Sequence, residues 1–273
     1  MKKGILLAAV ILLSAAGFAQ AQEGELSGSV DLTFLSSYIW RGYDWFENNH
    51  SALQLGIDLD LYDTGFGLSI LNTRANRSGD GMLDIPFQDL ERLDLTLYYG
   101  SSLFEGETYA TDYTVGWVYY NLPDNSSNFA DMQEFFASLS LPEICPAGVV
   151  PSYTIICLWP SESNSTLNTA LQGIGRSVGG WIHVVGLGYD LTVPGPLPEI
   201  PEQTLHLSAD MTYNDGVLGA DHDWSHAVLG VSTEFDLTEN VAFVPALYYQ
   251  ATMDKSVNAS DEWWVTLGLS YKF

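Results

Sequence analysis

The chain has 273 residues, and its 34 acidic side chains against 9 basic ones give a formal net charge of −25. This charge excludes a protein that binds nucleic acid through a basic patch, because neutralising phosphates requires clustered Lys and Arg. Intrinsic disorder is excluded as well, since disordered chains are poor in aromatic residues and this one has 8 Trp, 15 Tyr and 12 Phe. We therefore expect a folded chain without a nucleic-acid partner.

The first 21 residues have the pattern of a secretory signal peptide. Lys2 and Lys3 supply positive charge, residues 5–16 form an apolar run, and Ala19-Gln20-Ala21 fits a cleavage site. The run is too short to span a bilayer. We expect export across the inner membrane and cleavage after Ala21, which leaves residues 22–273 as the mature chain.

Beyond residue 21, short stretches in which apolar and polar residues alternate follow one another between turn signals. This period of two is typical of β-strands with one apolar face and one polar face. In the first stretch Val30, Leu32 and Phe34 alternate with Asp31 and Thr33. Strands are predicted at residues 26–34, 53–61, 66–72, 93–99, 109–119, 134–141, 151–159, 181–191, 204–213, 227–237, 241–251 and 263–273. Their even number favours a single-chain outer-membrane β-barrel.

The connections between the predicted strands differ in length. Short turns at residues 62–65 and 238–240 follow even-numbered strands. Long connections follow odd-numbered strands, at residues 41–50, 73–89, 122–131, 160–180 and 214–225. Outer-membrane barrels have short periplasmic turns and long external loops, so the N and C termini are predicted to be periplasmic. Because residues 142–150 and 193–201 are longer than such turns require, we predict an all-β transmembrane antiparallel barrel of about 12 strands, with 10 to 14 compatible.

The last predicted strand ends on Phe273, with Tyr271 on the same face. It resembles the terminal strand of outer-membrane barrels, which the barrel-insertion machinery recognises. Alternating strands also occur in soluble β-sandwiches, which are the alternative fold. Aromatic residues near strand ends favour the barrel instead, because membrane barrels carry such residues at both lipid interfaces. These residues are Trp117, Tyr119, Trp181, Tyr189, Trp263 and Tyr271.

Two parts of the chain resemble a known family. The segment Ser36-Ser-Tyr-Ile-Trp-Arg-Gly42, followed by a polar loop and residues 52–67, is similar to the opening hairpins of the TorF family of porins. Residues 112–123 together with 134–140 look like the middle hairpin of that family. The resemblance implies a barrel in the outer membrane of a Gram-negative bacterium and a pore, and it brings no catalytic residues. The chain departs from the family at residues 144–169 and in the proline-rich segment 194–201.

The polar face of the strands should line the lumen, since the apolar face contacts outer-membrane lipid. The acidic residues predicted to point inward are Asp31, Asp58, Asp60, Asp94, Asp112, Glu134, Asp190, Asp210, Glu234 and Asp236, and the basic ones are Arg41, Arg92 and Lys272. Carboxylates around a water-filled lumen stabilise cations and repel anions. The sequence thus predicts a passive, cation-preferring diffusion channel for small hydrophilic solutes. In the alternative, these acids pair with Arg92, Lys272, Tyr98 or Tyr120 in a plugged lumen.

Two other functions are compatible with a barrel, namely an enzyme acting on envelope lipid or peptide and a closed barrel with partner-binding loops. His206 and Ser208 have the spacing of an outer-membrane lipid A deacylase. The alternation turns both side chains into the lumen, however, away from the acyl chains of the membrane. Residues 221–226 contain two His and two Asp that suit a divalent metal, but a hydrated loop tip is the favoured interpretation. We therefore predict no enzyme, no cofactor and no metal site.

Cys145 and Cys157 are the two cysteines of the chain. Export places them in an oxidising compartment, where a disulfide between them would staple the hairpin around the seventh strand. Two free thiols are the alternative. The sequence predicts no particular oligomeric state.

Overall fold

The computed structural model describes residues 26–46, 50–76, 91–126, 129–197 and 200–273. The predicted signal peptide lies outside these residues. The described residues form twelve long antiparallel strands: β1 (Ser27–Leu35), β2 (Ala52–Asp60), β3 (Phe66–Ala75), β4 (Glu91–Leu103), β5 (Thr111–Asn121), β6 (Met132–Ser140), β7 (Val150–Pro160), β8 (Gly180–Leu197), β9 (Ile200–Asp215), β10 (His222–Ser232), β11 (Val241–Thr252) and β12 (Glu262–Lys272). The short strand Phe235–Asp236 follows β10 and also pairs with β11. All twelve predicted strands are confirmed.

The barrel is closed, because each strand pairs with the next and β12 pairs with β1. Leu32 lies opposite Leu269 at this seam. At its end, the backbone N–H groups of Gly28 and Phe273 each donate to the carbonyl of the other at 3.0 Å. Closure satisfies the backbone groups that a free sheet edge would expose to lipid. The aromatic C-terminus therefore takes part in closing the barrel.

Successive side chains alternate between the outer and the inner surface. On β1, Leu32 and Phe34 point outward and are 43% and 39% exposed, whereas Asp31 and Thr33 line a recess of the lumen. The same alternation exposes aromatic residues on the outside of the barrel, among them Trp117, Trp181, Tyr189, Trp263 and Tyr271. The predicted apolar outer face is therefore confirmed, whereas the inner face is polar toward one end of the barrel and apolar toward the other.

The two ends of the barrel differ. The terminal end carries the start of β1, the end of β12 and the connections after even-numbered strands, and the long-loop end carries the connections after odd-numbered strands. The prediction of a long connection at residues 214–225 is wrong, because only residues 216–221 separate β9 from β10. The turn is compact because the Asn214 side chain accepts a hydrogen bond from the Val217 N–H at 2.7 Å and Gly216 adopts a φ of 87°.

In the proline-rich segment, Val193, Pro194 and Leu197 of β8 pair with β9, which corrects the prediction of a long connection there. Pro194 lies opposite Glu202 in the β8–β9 pair. Pairing of β8 with β7 ends at Gly188, and pairing of β9 with β10 begins at His206. The end of this hairpin therefore projects past its neighbours as a two-stranded ribbon. Proline is tolerated in it because no third strand requires its missing N–H.

Of the two alternatives for Cys145 and Cys157, the structure has the free thiols and not the disulfide. Cys145 lies in the turn between β6 and β7 at the terminal end. Cys157 lies on β7, seven residues beyond Val150, which corresponds to about 23 Å along a strand. A disulfide requires Cα atoms within about 7 Å of each other, and the position of Cys157 well along β7 from the turn that holds Cys145 agrees with two free thiols.

We expect both thiols to react when the protein is denatured and alkylated without reductant. Mass spectrometry should show two adducts per chain, since each cysteine is free in the structure. A fully reduced sample provides the reference mass. A chain that gains its two adducts only after reduction would contradict the structure here.

Among the described residues, no helix is long and apolar enough to cross a membrane. Helix α1 (Thr166–Gln172) has seven residues and belongs to the connection between β7 and β8. Its N-cap is Ser165, whose hydroxyl accepts a hydrogen bond from the Asn168 N–H at 3.3 Å. Leu167 is buried in the apolar cluster of the barrel interior, so the helix covers the long-loop end of the barrel.

Candidate functional site in the barrel lumen

The connection between β1 and β2 begins with a hairpin that folds into the lumen. Its strands, Ile39–Trp40 and Tyr43–Asp44, pair with each other, and the turn between them has positive φ angles of 53° at Arg41 and 89° at Gly42. Two positive φ angles are typical of the tight turns that join short antiparallel strands. We name residues 36–46 the inner hairpin. The prediction that residues 41–50 belong to an external loop is therefore wrong for residues 41–46.

One side of the inner hairpin is held by β6. Arg41 Nη2 lies 2.6 Å from Glu134 Oε1, and the Tyr120 hydroxyl donates to Glu134 Oε2 at 2.8 Å. Burial is the largest influence on the pKa of Arg41 and lowers it, but Glu134 and Tyr120 together outweigh burial and hold the pKa above its ordinary value. This partly buried ion pair attaches the turn of the hairpin to the wall.

The other side of the inner hairpin is held by β10 and β11. The Gly42 carbonyl accepts a hydrogen bond from Gln250 Nε2 at 2.8 Å, and a Cβ atom placed on Gly42 would lie 2.4 Å from His226 Nδ1. The Tyr43 hydroxyl donates to the Val217 carbonyl at 2.9 Å. Because β11 is five strands away from β6 in the closed barrel, these contacts lie on opposite walls. The inner hairpin therefore spans the lumen.

Arg92 of β4 lies against the base of the inner hairpin. Its guanidinium donates twice to Asp94, at 2.8 and 2.6 Å, and the residue is only 1% exposed. Four aromatic rings surround its Cζ at 4.5 to 5.2 Å, those of Tyr38, Trp40, Trp45 and Tyr120. Cation–π attraction adds to the ion pair in such a desolvated setting. Burial also raises the pKa of the Tyr38 hydroxyl to about 12, so that ring stays neutral near pH 7.

A packed apolar cluster fills the lumen around the inner hairpin. Its buried members are Leu35, Tyr38, Tyr43, Trp45, Phe46, Ala52, Val118, Tyr120, Ala130, Met132, Ile156, Leu158, Leu167, Val178, Ile182, Val217, Leu218, Ala220 and Val257. They come from the hairpin, from the inner face of the strands and from the connections of the long-loop end. The half of the lumen next to the long-loop end is therefore packed with side chains, as in the core of a soluble protein.

The half of the lumen next to the terminal end is polar. Predicted inward residues on its wall and rim are Asp31, Asp58, Asp60, Asp112, Asp190, Asp210, Glu234, Asp236 and Lys272. Lys272 Nζ lies 2.8 Å from Glu234 Oε1, and the Tyr98 hydroxyl donates to Asp58 at 2.8 Å. His206 Nδ1 lies 2.7 Å from Asp190 Oδ1. The structure thus separates these acids from Asp94 and Glu134, which are buried with arginine partners in the other half.

Four of the predicted acids have the partners that the plugged-lumen alternative requires. Asp94 pairs with Arg92, and Glu234 pairs with Lys272. Asp58 accepts from Tyr98, and Glu134 accepts from Tyr120. A fully open lumen lined by unpaired acids, as predicted from the sequence, is therefore not what the structure contains.

The weaker sequence candidates have structural roles. His206 and Ser208 lie on the inner register of β9, as predicted, and His206 contacts Asp190. In residues 221–226, His222 pairs with Asp215, while His226 is buried beneath the inner hairpin. Within the described ranges no three His, Cys, Asp or Glu side chains are grouped so that they could hold a metal ion.

The inner hairpin is the part of the site that the alternation of residues does not predict. Five of the nine residues from Tyr38 to Phe46 are aromatic, which is unusual for a hydrated loop. Aromatic side chains gain most from burial. This composition is the signal in the sequence that indicates a buried segment.

Comparisons with known proteins establish the fold alone. No protein-family model and no curated protein matches the chain. Among solved structures, the KdgM porin is 11% identical, with 90% of this chain and 99% of that chain covered and a TM-score of 0.52. The KdgM porin in complex with disordered oligogalacturonate is 9% identical, with the same coverage and a TM-score of 0.51. An outer membrane phospholipase dimer with bound calcium from Salmonella typhi is 13% identical over 94% of this chain and 96% of that chain, with a TM-score of 0.49. The chain shares the barrel fold of outer-membrane proteins, and membership of the TorF family stays a prediction.

Proposed function

We propose that this protein is a porin-like, cation-preferring channel of the outer membrane and that the inner hairpin controls passage through it. The observation that carries the proposal is a hairpin that spans the lumen of a closed barrel. Next to it lies the acidic, polar half of the lumen at the terminal end, which we name the polar compartment. Small hydrophilic solutes would enter this compartment from the terminal end. The outward apolar side chains would contact outer-membrane lipid, and the terminal Tyr271 and Phe273 would serve the insertion machinery.

The contacts of the inner hairpin support a segment that can be displaced. Arg41 Nε, Arg92 Nη1 and Gln250 Oε1 are buried at its junction with the wall and have no hydrogen-bond partner among the described residues. Leaving a buried polar atom unpaired costs about 1–3 kcal/mol. The docked hairpin is therefore less stable than its ion pairs and ring contacts alone imply, which reduces the free energy needed to withdraw it.

The charge of the polar compartment supports a preference for cations. Eight predicted carboxylates lie on its wall and rim, and the one basic partner predicted with them, Lys272, is paired with Glu234. A concave surface of one sign between low-dielectric walls concentrates counter-ions. Oligogalacturonate, which is bound to KdgM in the solved complex, is a polyanion, so this lumen should disfavour it. The proposal assigns no catalytic residue, because His206 and Ser208 face the lumen and not the lipid.

The purified barrel should conduct in planar lipid bilayers, and its reversal potential in a KCl gradient should have the sign of a cation-selective channel. Liposome swelling with neutral and charged solutes of graded size would give the size limit. No conductance under any applied voltage, or selectivity for chloride, would refute the proposed function.

Neutralising three lumen acids should lower the ratio of cation to anion permeability severalfold. The variant carries Asp31→Asn, Asp58→Asn and Asp210→Asn, which removes three charges from the inner face without removing an ion-pair partner. A matched control carries Glu162→Gln, Asp223→Asn and Glu239→Gln, three exposed residues at the ends of the barrel. Equal selectivity of the two triple variants would show that the lumen charge does not select ions.

A further inference from the structure

A recess of about 340 Å³ lies in the wall of the polar compartment. It is formed by inner-face residues of β1, β11 and β12 together with residues at the end of β10. Its volume is within the range of pockets that bind small molecules. Gly268 helps to keep it open, because a Cβ atom there would lie 3.3 Å from the Thr33 hydroxyl.

The recess carries an excess of negative charge. Asp31 and Glu234 both line it. Glu234 is paired with Lys272, whose charge also acts on Asp31, whereas Asp31 forms no ion pair of its own in the described part of the chain and accepts only the Ser29 hydroxyl, at 2.6 Å. One carboxylate is therefore left to receive a positively charged group of a solute.

The rest of the lining suits a hydroxylated solute. Four side-chain hydroxyls line the recess, those of Thr33, Ser232, Thr266 and Ser270. Each hydroxyl can both donate and accept a hydrogen bond, so together they match a polyol. Tyr248 adds an aromatic surface and is stacked on Trp264 with their centroids 5.1 Å apart.

The recess lies beside the attachment of the inner hairpin. Tyr248 of the recess is two residues from Gln250 on the inner face of β11, and Gln250 donates to the Gly42 carbonyl. A solute bound in the recess would therefore be held next to the hairpin, on the side of the polar compartment. This is the position at which selection before passage is most effective.

From this geometry we propose that the recess is a binding site for a small aminated polyol of hexosamine size. The ammonium group would pair with Asp31, and the hydroxyls would exchange hydrogen bonds with the four hydroxyl side chains. This inference deepens the proposed function, because it names the class of solute that the channel selects.

The test is a titration of the folded barrel in detergent with glucosamine, glucose and glucuronate. These probes have similar size and differ in charge, and calorimetry would report binding without ion flow. We expect glucosamine to bind about tenfold more tightly than glucose, since a hydrogen bond to a charged group is stronger than a neutral one. Glucuronate should bind more weakly than either.

The matched variants are Asp31→Asn, within the recess, and Asp112→Asn, a lumen acid outside it. Asp31→Asn should abolish the preference for glucosamine over glucose, and Asp112→Asn should preserve it. Equal affinity for the three sugars, or no effect of Asp31→Asn, would overturn the site. A barrel that binds glucosamine and does not conduct would refute only the channel, whereas a conducting barrel that binds none of the sugars would refute only this site.

Discussion

Replacing Gly42 with alanine is expected to raise single-channel conductance severalfold and to lengthen open times. Gly42 has a φ of 89°, and a Cβ atom there would lie 2.4 Å from His226 Nδ1 and 2.8 Å from Val257 Cγ1. Residues with a side chain rarely adopt this backbone conformation, and contacts this short force a neighbour to move. The inner hairpin should therefore leave its place between the walls. Recordings in planar bilayers at matched voltage would measure the change.

The control for this prediction is Gly106→Ala. Gly106 has a similar φ of 83° in the turn between β4 and β5, but no atom lies within 4 Å of a Cβ placed there. This variant has the same backbone strain without the steric conflict, so its conductance should equal that of the unmodified protein. If Gly42→Ala also leaves conductance unchanged, the inner hairpin does not control passage.

Replacing Asp94 with asparagine is expected to destabilise the barrel by about 3–5 kcal/mol, because it leaves the charge of Arg92 buried without a carboxylate. Arg92 is 1% exposed, and Asp94 accepts both of its recorded hydrogen bonds. The surrounding rings of Trp40 and Trp45 can offset only part of this loss. Urea unfolding in lipid vesicles, followed by tryptophan fluorescence, would measure the difference.

Two further variants distinguish a buried charge from general damage to the barrel. Glu234→Gln removes an ion pair whose two side chains are 37% and 59% exposed, so it should cost at most about 1 kcal/mol. Combining Asp94→Asn with Arg92→Met should recover part of the lost stability, because no unpaired charge then remains. Equal stability of Asp94→Asn and Glu234→Gln would contradict the role assigned to the Arg92–Asp94 pair.

The strands could be predicted from the sequence because the lipid imposes a simple rule on them. Outward residues must be apolar, so residues such as Val30, Leu32 and Phe34 alternate with polar ones and fix both the strand and its face. The seventh strand followed from the same rule although residues 144–169 depart from the family pattern. Predicting the inward direction of Asp31 and Asp94 required nothing more than this period.

The filling of the lumen could not be predicted in this way, because contacts inside a barrel have no sequence period. Asp94 and Asp31 share the same alternation, yet one is buried against Arg92 and the other lines an open recess. The difference depends on the inner hairpin, whose partners lie on distant strands. The compact turn at residues 216–221 and the ribbon around Pro194 also depend on side-chain and edge contacts that length and proline content do not reveal.

The contacts of the inner hairpin also join parts of the chain that lie far apart in the sequence. Its bonds to Glu134, Val217 and Gln250 join residues 93, 174 and 208 positions apart in the chain. Contacts of such large sequence separation form late, because the intervening chain must first be ordered. The inner hairpin therefore closes loops far longer than those closed by pairing of adjacent strands, and the entropy cost of closing them opposes its docking.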